Sequence, residues 1–244
     1  MCFSMGVTVA MTGLGAAATA VTIRRKEPVA IPATLAYFTL MEALQIAGHA
    51  SVDSCASPLN QTSTLLSYLH IVFQPFFINA FAMELVPRAV RMRVRVPVFI
   101  GCGLSAAVML LQLWPFPWAG SCQPGTTLCG SVLCTVSGEW HIGWSVPVND
   151  MLAPLAAVPW LSAGFPTYLI AAFLLPLCYG AWRFSVFHAL AGPILAWQLT
   201  RSPFEAPAIW CLFSIGILMI GLSPWIRARF TAGQDWPWRM APEG

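Results

Sequence analysis

The basic residues of this chain are gathered into a few short clusters separated by long apolar stretches, and that pattern leaves few architectures open. Eleven of the twelve Lys and Arg residues lie at Arg24-Arg25-Lys26, at Arg88, Arg91, Arg93 and Arg95, at Arg183, and at Arg227, Arg229 and Arg239; only Arg201 stands apart. Of all residues 58% are hydrophobic and 9% charged, against about a quarter charged in a soluble domain. The interior of a 244-residue fold is too small to hide that much apolar surface, so lipid must be the solvent for most of it. Basic residues that flank membrane spans stay in the cytoplasm, so the topology has to put every cluster on one side.

Hydropathy and the charge rule together predict an all-α polytopic membrane bundle. It has about seven transmembrane helices in a single transmembrane domain over 1–244, with the N-terminus outside and the C-terminus cytoplasmic. The spans fall at roughly 5–23, 29–50, 64–86, 97–116, 165–182, 185–200 and 205–226. The first run resembles a signal peptide only superficially: no basic residues precede it and no cleavage site follows, so it reads as a retained helix. Pro75 and Pro193 fall inside spans, where a missing N–H predicts a kink.

The segment 117–164 is too long for a simple connection and is expected to form an outer loop or lid. Its part from Met151 to Trp160 is apolar but broken by Pro154 and Pro159, which predicts an interfacial or re-entrant course. Trp114, Trp118, Trp140, Trp144 and Trp160 would supply an aromatic belt at the outer interface. Cys55, Cys122, Cys129 and Cys134 all fall in predicted outer loops, where four cysteines make two disulfides in one of three connectivities. No C-x-x-C pair points to a metal cluster there.

Two adjacent spans carry an unusual load of polar side chains. Glu42, Gln45 and His49 follow i, i+3, i+7 spacing and share one helical face; His70 and Gln74 share a face by i, i+4 spacing, with Glu84 continuing that stripe. Asn79 points to the opposite side. At a rise of 1.5 Å per residue, Glu42 lies about 10 Å below His49, His70 about 7 Å deep and Gln74 about 13 Å deep. Glu42, His70 and Gln74 are therefore expected to meet at one level in the outer half of the membrane.

Ionisable groups in hydrocarbon usually mark a site or pathway, and three readings follow. Glu42, His49 and His70, with His141 or Cys2, would bind Cu, Fe, Zn or haem iron, since imidazole with carboxylate suits those metals. Alternatively Glu42 and His70 carry protons in a small-solute transporter while Gln45, Gln74, Asn79 and Glu84 line the path. Third, the polar groups are interhelical glue in an accessory subunit of a larger membrane complex. His188 stands alone and reads as a packed histidine. The sequence lacks a G-x-S-x-G elbow, an H-E-x-x-H motif and a phosphate-binding glycine loop, which argues against an enzyme. The Arg88–Arg95 run is expected to meet lipid headgroups and no nucleic acid.

The opening Met1-Cys2-Phe3-Ser4, the run Met41-Glu42-Ala43-Leu44-Gln45, the stretch Tyr68-Leu69-His70-Ile71-Val72-Phe73-Gln74-Pro75-Phe76-Phe77-Ile78-Asn79 and the run Tyr179-Gly180-Ala181-Trp182-Arg183-Phe184 resemble a family of uncharacterised polytopic membrane proteins, mostly bacterial. The resemblance spans nearly the whole chain and is most specific around His70. It implies a complete protein, multi-pass in the bacterial inner (cytoplasmic) membrane, and supplies no activity.

Overall fold

The structure, a computed structural model, describes residues 4–153, 165–213 and 215–231. It is mostly helical. Helix α1 spans Met5–Arg24, α2 Ala30–Ala50, α3 Pro58–Ala82 continuing as a 3-10 turn over Met83–Leu85, and α4 Arg88–Gln112. With that turn included in α3, these four helices are long and apolar enough to cross a membrane. The later segments are shorter or bent. Helix α5 is Pro166–Cys178, α6 covers 182–199, and α7 is Ala206–Leu222, followed after a 103° bend by α8, Pro224–Phe230.

Two boundaries differ from expectation for local reasons. Helix α3 starts at Pro58 rather than near residue 64, because Pro58 at its first turn has no N–H to satisfy. Helix α4 starts at Arg88 rather than near residue 97, because Arg is a good helix former and the arginine run extends the helix beyond its apolar part. Helix α3 continues through Pro75 without a break. In α6 the proline effect appears as a π-turn over Leu190–Ile194 containing Pro193. A second π-turn, Ile170–Leu174 in α5, has its displaced carbonyls occupied: Asn79 Nδ2 donates to Ala171 O (2.8 Å) and Ser185 Oγ to Phe173 O (2.7 Å).

Close approach of α1 to α2 depends on Gly15, where a Cβ would come within 2.2 Å of Thr39 Oγ1. Buried Leu35, Phe38, Met41, Tyr68, Val72, Ile78, Phe81 and Phe184 form the shared interior. Large apolar side chains are exposed along the helices, Leu14 at 56% and Leu104 at 65%, which is compatible with a membrane location.

The segment after α4 holds a β-hairpin that the sequence reading treats as loop. Strands β1 (Cys134–Ser137) and β2 (Ile142–Ser145) pair antiparallel, Cys134 opposite Ser145. The hairpin packs across one end of the bundle. There Asn60, fully buried, donates to Ser51 O (2.7 Å) and Thr135 O (2.9 Å) and accepts from Thr135 N (2.9 Å). Trp144 is consequently core rather than interfacial, only 1% exposed, whereas Trp114 and Trp118 remain on the surface. Both expected disulfides form, as Cys55–Cys134 and Cys122–Cys129. The opposite end gathers the arginine clusters, with Arg227 paired to Glu27 (2.8 Å) and Arg91 to Glu84.

Candidate functional site

Helix α2 presents Glu42, Gln45 and His49 on one face, as its spacing predicts, but the three meet different neighbours. His49, at the hairpin end, lies beside His141, with ring centroids 5.1 Å apart. His141 is fully buried, and its Nε2–H donates to Gln45 Oε1 (2.8 Å). Gln45 thereby ties the hairpin to the middle of α2. One turn deeper, Glu42 faces away from α3, toward α1 and α7.

Glu42 borders a small, half-open crevice of about 20 Å³ shared with Met11, Gly15, Thr39, Cys211 and Leu218. That is room for one water, which needs roughly 10–15 Å³. The carboxylate is 6% exposed, its Oε2 has no hydrogen-bond partner, and the two salt bridges among the described residues do not involve it. A buried ionisable group in that condition is expensive.

Cys211, on the same crevice, belongs to a polar group drawn from four helices. Cys211 of α7 lies within electrostatic reach of Glu42, with the Gln74 side chain of α3 beside it. The hydroxyl of Tyr168, on α5, donates to Gln74 Oε1 (2.6 Å). Tyr37 of α2 is close enough to interact with Cys211 as well. Cys211 thus interacts with both Glu42 and Gln74.

His70 does not join them. Its ring stacks on Tyr37 (centroids 3.9 Å), its Nε2–H donates to Tyr37 O (2.7 Å), and the Tyr37 hydroxyl donates back to His70 O (2.7 Å). An aromatic neighbour whose backbone carbonyl accepts a further bond captures the imidazole, turning it from Glu42. The expected convergence of Glu42, His70 and Gln74 is therefore reduced to Glu42 and Gln74.

The expected metal set divides in the same way. His49 and His141 form one pair at the hairpin end, His70 lies apart on Tyr37, and Cys2 lies outside the described residues. Among the described residues no three His, Cys, Asp or Glu side chains come together as a metal site requires. Asn79 faces α4 and α5 as expected, but all its valences serve packing: it donates to Pro75 O and Ala171 O and accepts from the Tyr179 hydroxyl (3.0 Å). Glu84 is held by Arg91 at the basic end. His188 is a packed histidine, set among Phe173, Phe184 and Trp210.

Three participants escape the sequence reading. Cys211 and Tyr168 sit in apolar spans with nothing to distinguish them from core residues. Glu205 carried a signal, as a lone carboxylate at the start of an apolar run. Its Oε1 accepts from the backbone N–H groups of Trp140 and His141, and its Oε2 from Glu139 N–H (3.3 Å) and the Thr200 hydroxyl (2.8 Å). It clamps the hairpin turn that presents His141.

Fold and site define a mostly helical protein with four helices able to span a membrane, a disulfide-tied hairpin over one end and an unpaired carboxylate within the bundle. The chain belongs to a family of unknown function, DUF5765, whose model matches residues 6–231. No curated protein and no solved structure matches it.

Proposed function

We propose that this protein crosses the bacterial inner membrane seven times, N-terminus outside and C-terminus cytoplasmic, and moves protons together with a small solute. Support for the topology comes from the grouping of the arginine clusters of α1, α4, α6 and α8 at one end, with both disulfides at the other. Glu42 is the proton-carrying group in this reading. The observation that carries it is the condition of that side chain: buried, unpaired, beside a water-sized space and a polar group from four helices. A proton leaves such a group only along a hydrogen-bonded path; the polar side chains of Gln45, His141 and His49 lie in succession toward the hairpin end, and water bridging them would complete it.

The test is proton uptake into proteoliposomes followed with a pH-sensitive dye. Wild type acidifies the lumen under an imposed potential, Glu42→Gln abolishes the flux and Glu42→Asp retains part of it. Equal flux from wild type and Glu42→Gln refutes the assignment.

A second reading keeps the metal. The His49 and His141 imidazoles lie side by side, and His49 Nε2 is buried without a partner. Two imidazoles suit Cu or Zn when further ligands complete the shell. Elemental analysis of chelator-free protein decides this, with about one metal per chain expected in wild type and lost in His49→Ala.

A further inference from the structure

The basic end holds a feature the proton path does not use. Helix α8 leaves α7 at 103° and so runs across the end of the bundle. Ile226 and Phe230, one turn apart, pack inward, with the Phe230 ring edge-on to Phe187 (5.2 Å). Trp225 and Arg229, also one turn apart, face outward, and the Arg229 guanidinium lies 4.6 Å from the indole centroid. Trp225 is 68% exposed.

The start of α6 repeats this pairing beside it: Arg183 lies 5.4 Å over Trp182 and donates to Arg229 O (3.1 Å). Arg25 reaches the same place from the α1–α2 turn, donating to Leu222 O (2.7 Å). Among the described residues the carboxylates here are Glu27 and Glu84, and each is taken by its own arginine. Exposed Arg25, Arg183 and Arg229 form no salt bridge among the described residues. Arg88 and Arg95, at the start of α4 where the helix dipole disfavours cations, add to the positive field of this end. So basic an end suits an anionic neighbour.

We propose that α8, with the start of α6, binds the phosphate of an anionic phospholipid. Arg183 and Arg229 hold the phosphate, which the planar guanidinium fork matches in two bonds. Trp182 and Trp225 lie at headgroup depth, where indoles partition. A soluble phosphate has no use for two exposed indoles, which favours the lipid. The inference rests on the bilayer placement proposed above and not on proton movement.

Native mass spectrometry of protein released from nanodiscs tests it, comparing phosphatidylcholine alone with phosphatidylcholine plus phosphatidylglycerol. Wild type retains phosphatidylglycerol in preference, and added inorganic phosphate does not displace it. Arg183→Gln/Arg229→Gln loses that retention several-fold, while Arg88→Gln/Arg95→Gln keeps it. Equal loss in both double variants means a diffuse field rather than a site and overturns the proposal, as do absence of lipid preference in wild type or displacement by inorganic phosphate. Should the double variant lose its helical circular dichroism, Arg229→Gln alone decides: reduced retention supports the site and unchanged retention overturns it. Retained lipid with no proton flux refutes the transport reading alone.

Discussion

Removing the Cys55–Cys134 bridge should destabilise this protein far more than removing Cys122–Cys129, and the difference follows from what each ring encloses. The first closes a ring over a sequence separation of 79, the second over 7. Loop-closure entropy assigns about 4.5 kcal/mol to the first and about 2.3 kcal/mol to the second if every enclosed residue is free when unfolded. In a bilayer that assumption fails, because the unfolded reference keeps its inserted helices. Helices α3 and α4, 25 residues each, lie inside the larger ring, so about 30 residues gain freedom and the value falls to about 3.6 kcal/mol. The smaller ring holds no helix and keeps its full value. Thermal unfolding in mild detergent measures the order, comparing Cys55→Ser/Cys134→Ser with Cys122→Ser/Cys129→Ser so that no lone thiol remains. The first variant should melt lower, by the equivalent of about 1–2 kcal/mol at the transition. Equal midpoints, or the reverse order, would show that the hairpin's hydrogen bonds seat it without the larger ring and that the ring argument is wrong.

Two further substitutions probe the elements that set the site. Glu205→Ala removes the acceptor for three backbone N–H groups and the Thr200 hydroxyl; a loss of about 3 kcal/mol is expected at about 1–3 kcal/mol for each buried donor stranded, offset by water entry. Hydrogen exchange at residues 139–141 should rise in that variant, and unchanged protection would remove Glu205 from its clamping role. Gly15→Leu forces a side chain into Thr39 and should destabilise by about 1–3 kcal/mol through overpacking; a thermal midpoint equal to wild type would mean that α1 sits away from α2.

Helix positions, the pairing cysteines and the grouping of arginines were legible in the chain because each is set by a one-dimensional property: hydropathy, compartment or charge. The interior of the site was not. Helical rise places His70 and Glu42 near one depth, yet rise says nothing of which way a ring turns, and the Tyr37 carbonyl decided that. Trp144 reads as interfacial in sequence and is core because the hairpin folds inward over Asn60. Asn79 looks like a pathway residue and is instead the partner of a π-turn in α5, a break no propensity announces.

Two buried carboxylates in this protein are treated in opposite ways, and the contrast bears on which of them acts. Glu205 is fully buried and accepts from three backbone amides and a hydroxyl, so its charge is distributed over donors fixed by the hairpin and the α6–α7 turn. Glu42 is almost as buried, yet its Oε2 has no partner. A fold able to surround one carboxylate with donors is not short of means to do so for another. Gln45 sits one turn from Glu42 on the same face, but its amide is turned to His141 and to Ala208 O. Were Glu42 only helix-packing glue, the cheaper arrangement would direct that amide, or a threonine of α1, to it. Glu42 Oε2 has no protein donor and faces a space that admits one water, so no fixed donor holds its protonation state, the condition a group needs if it is to change its protonation or its partner during function.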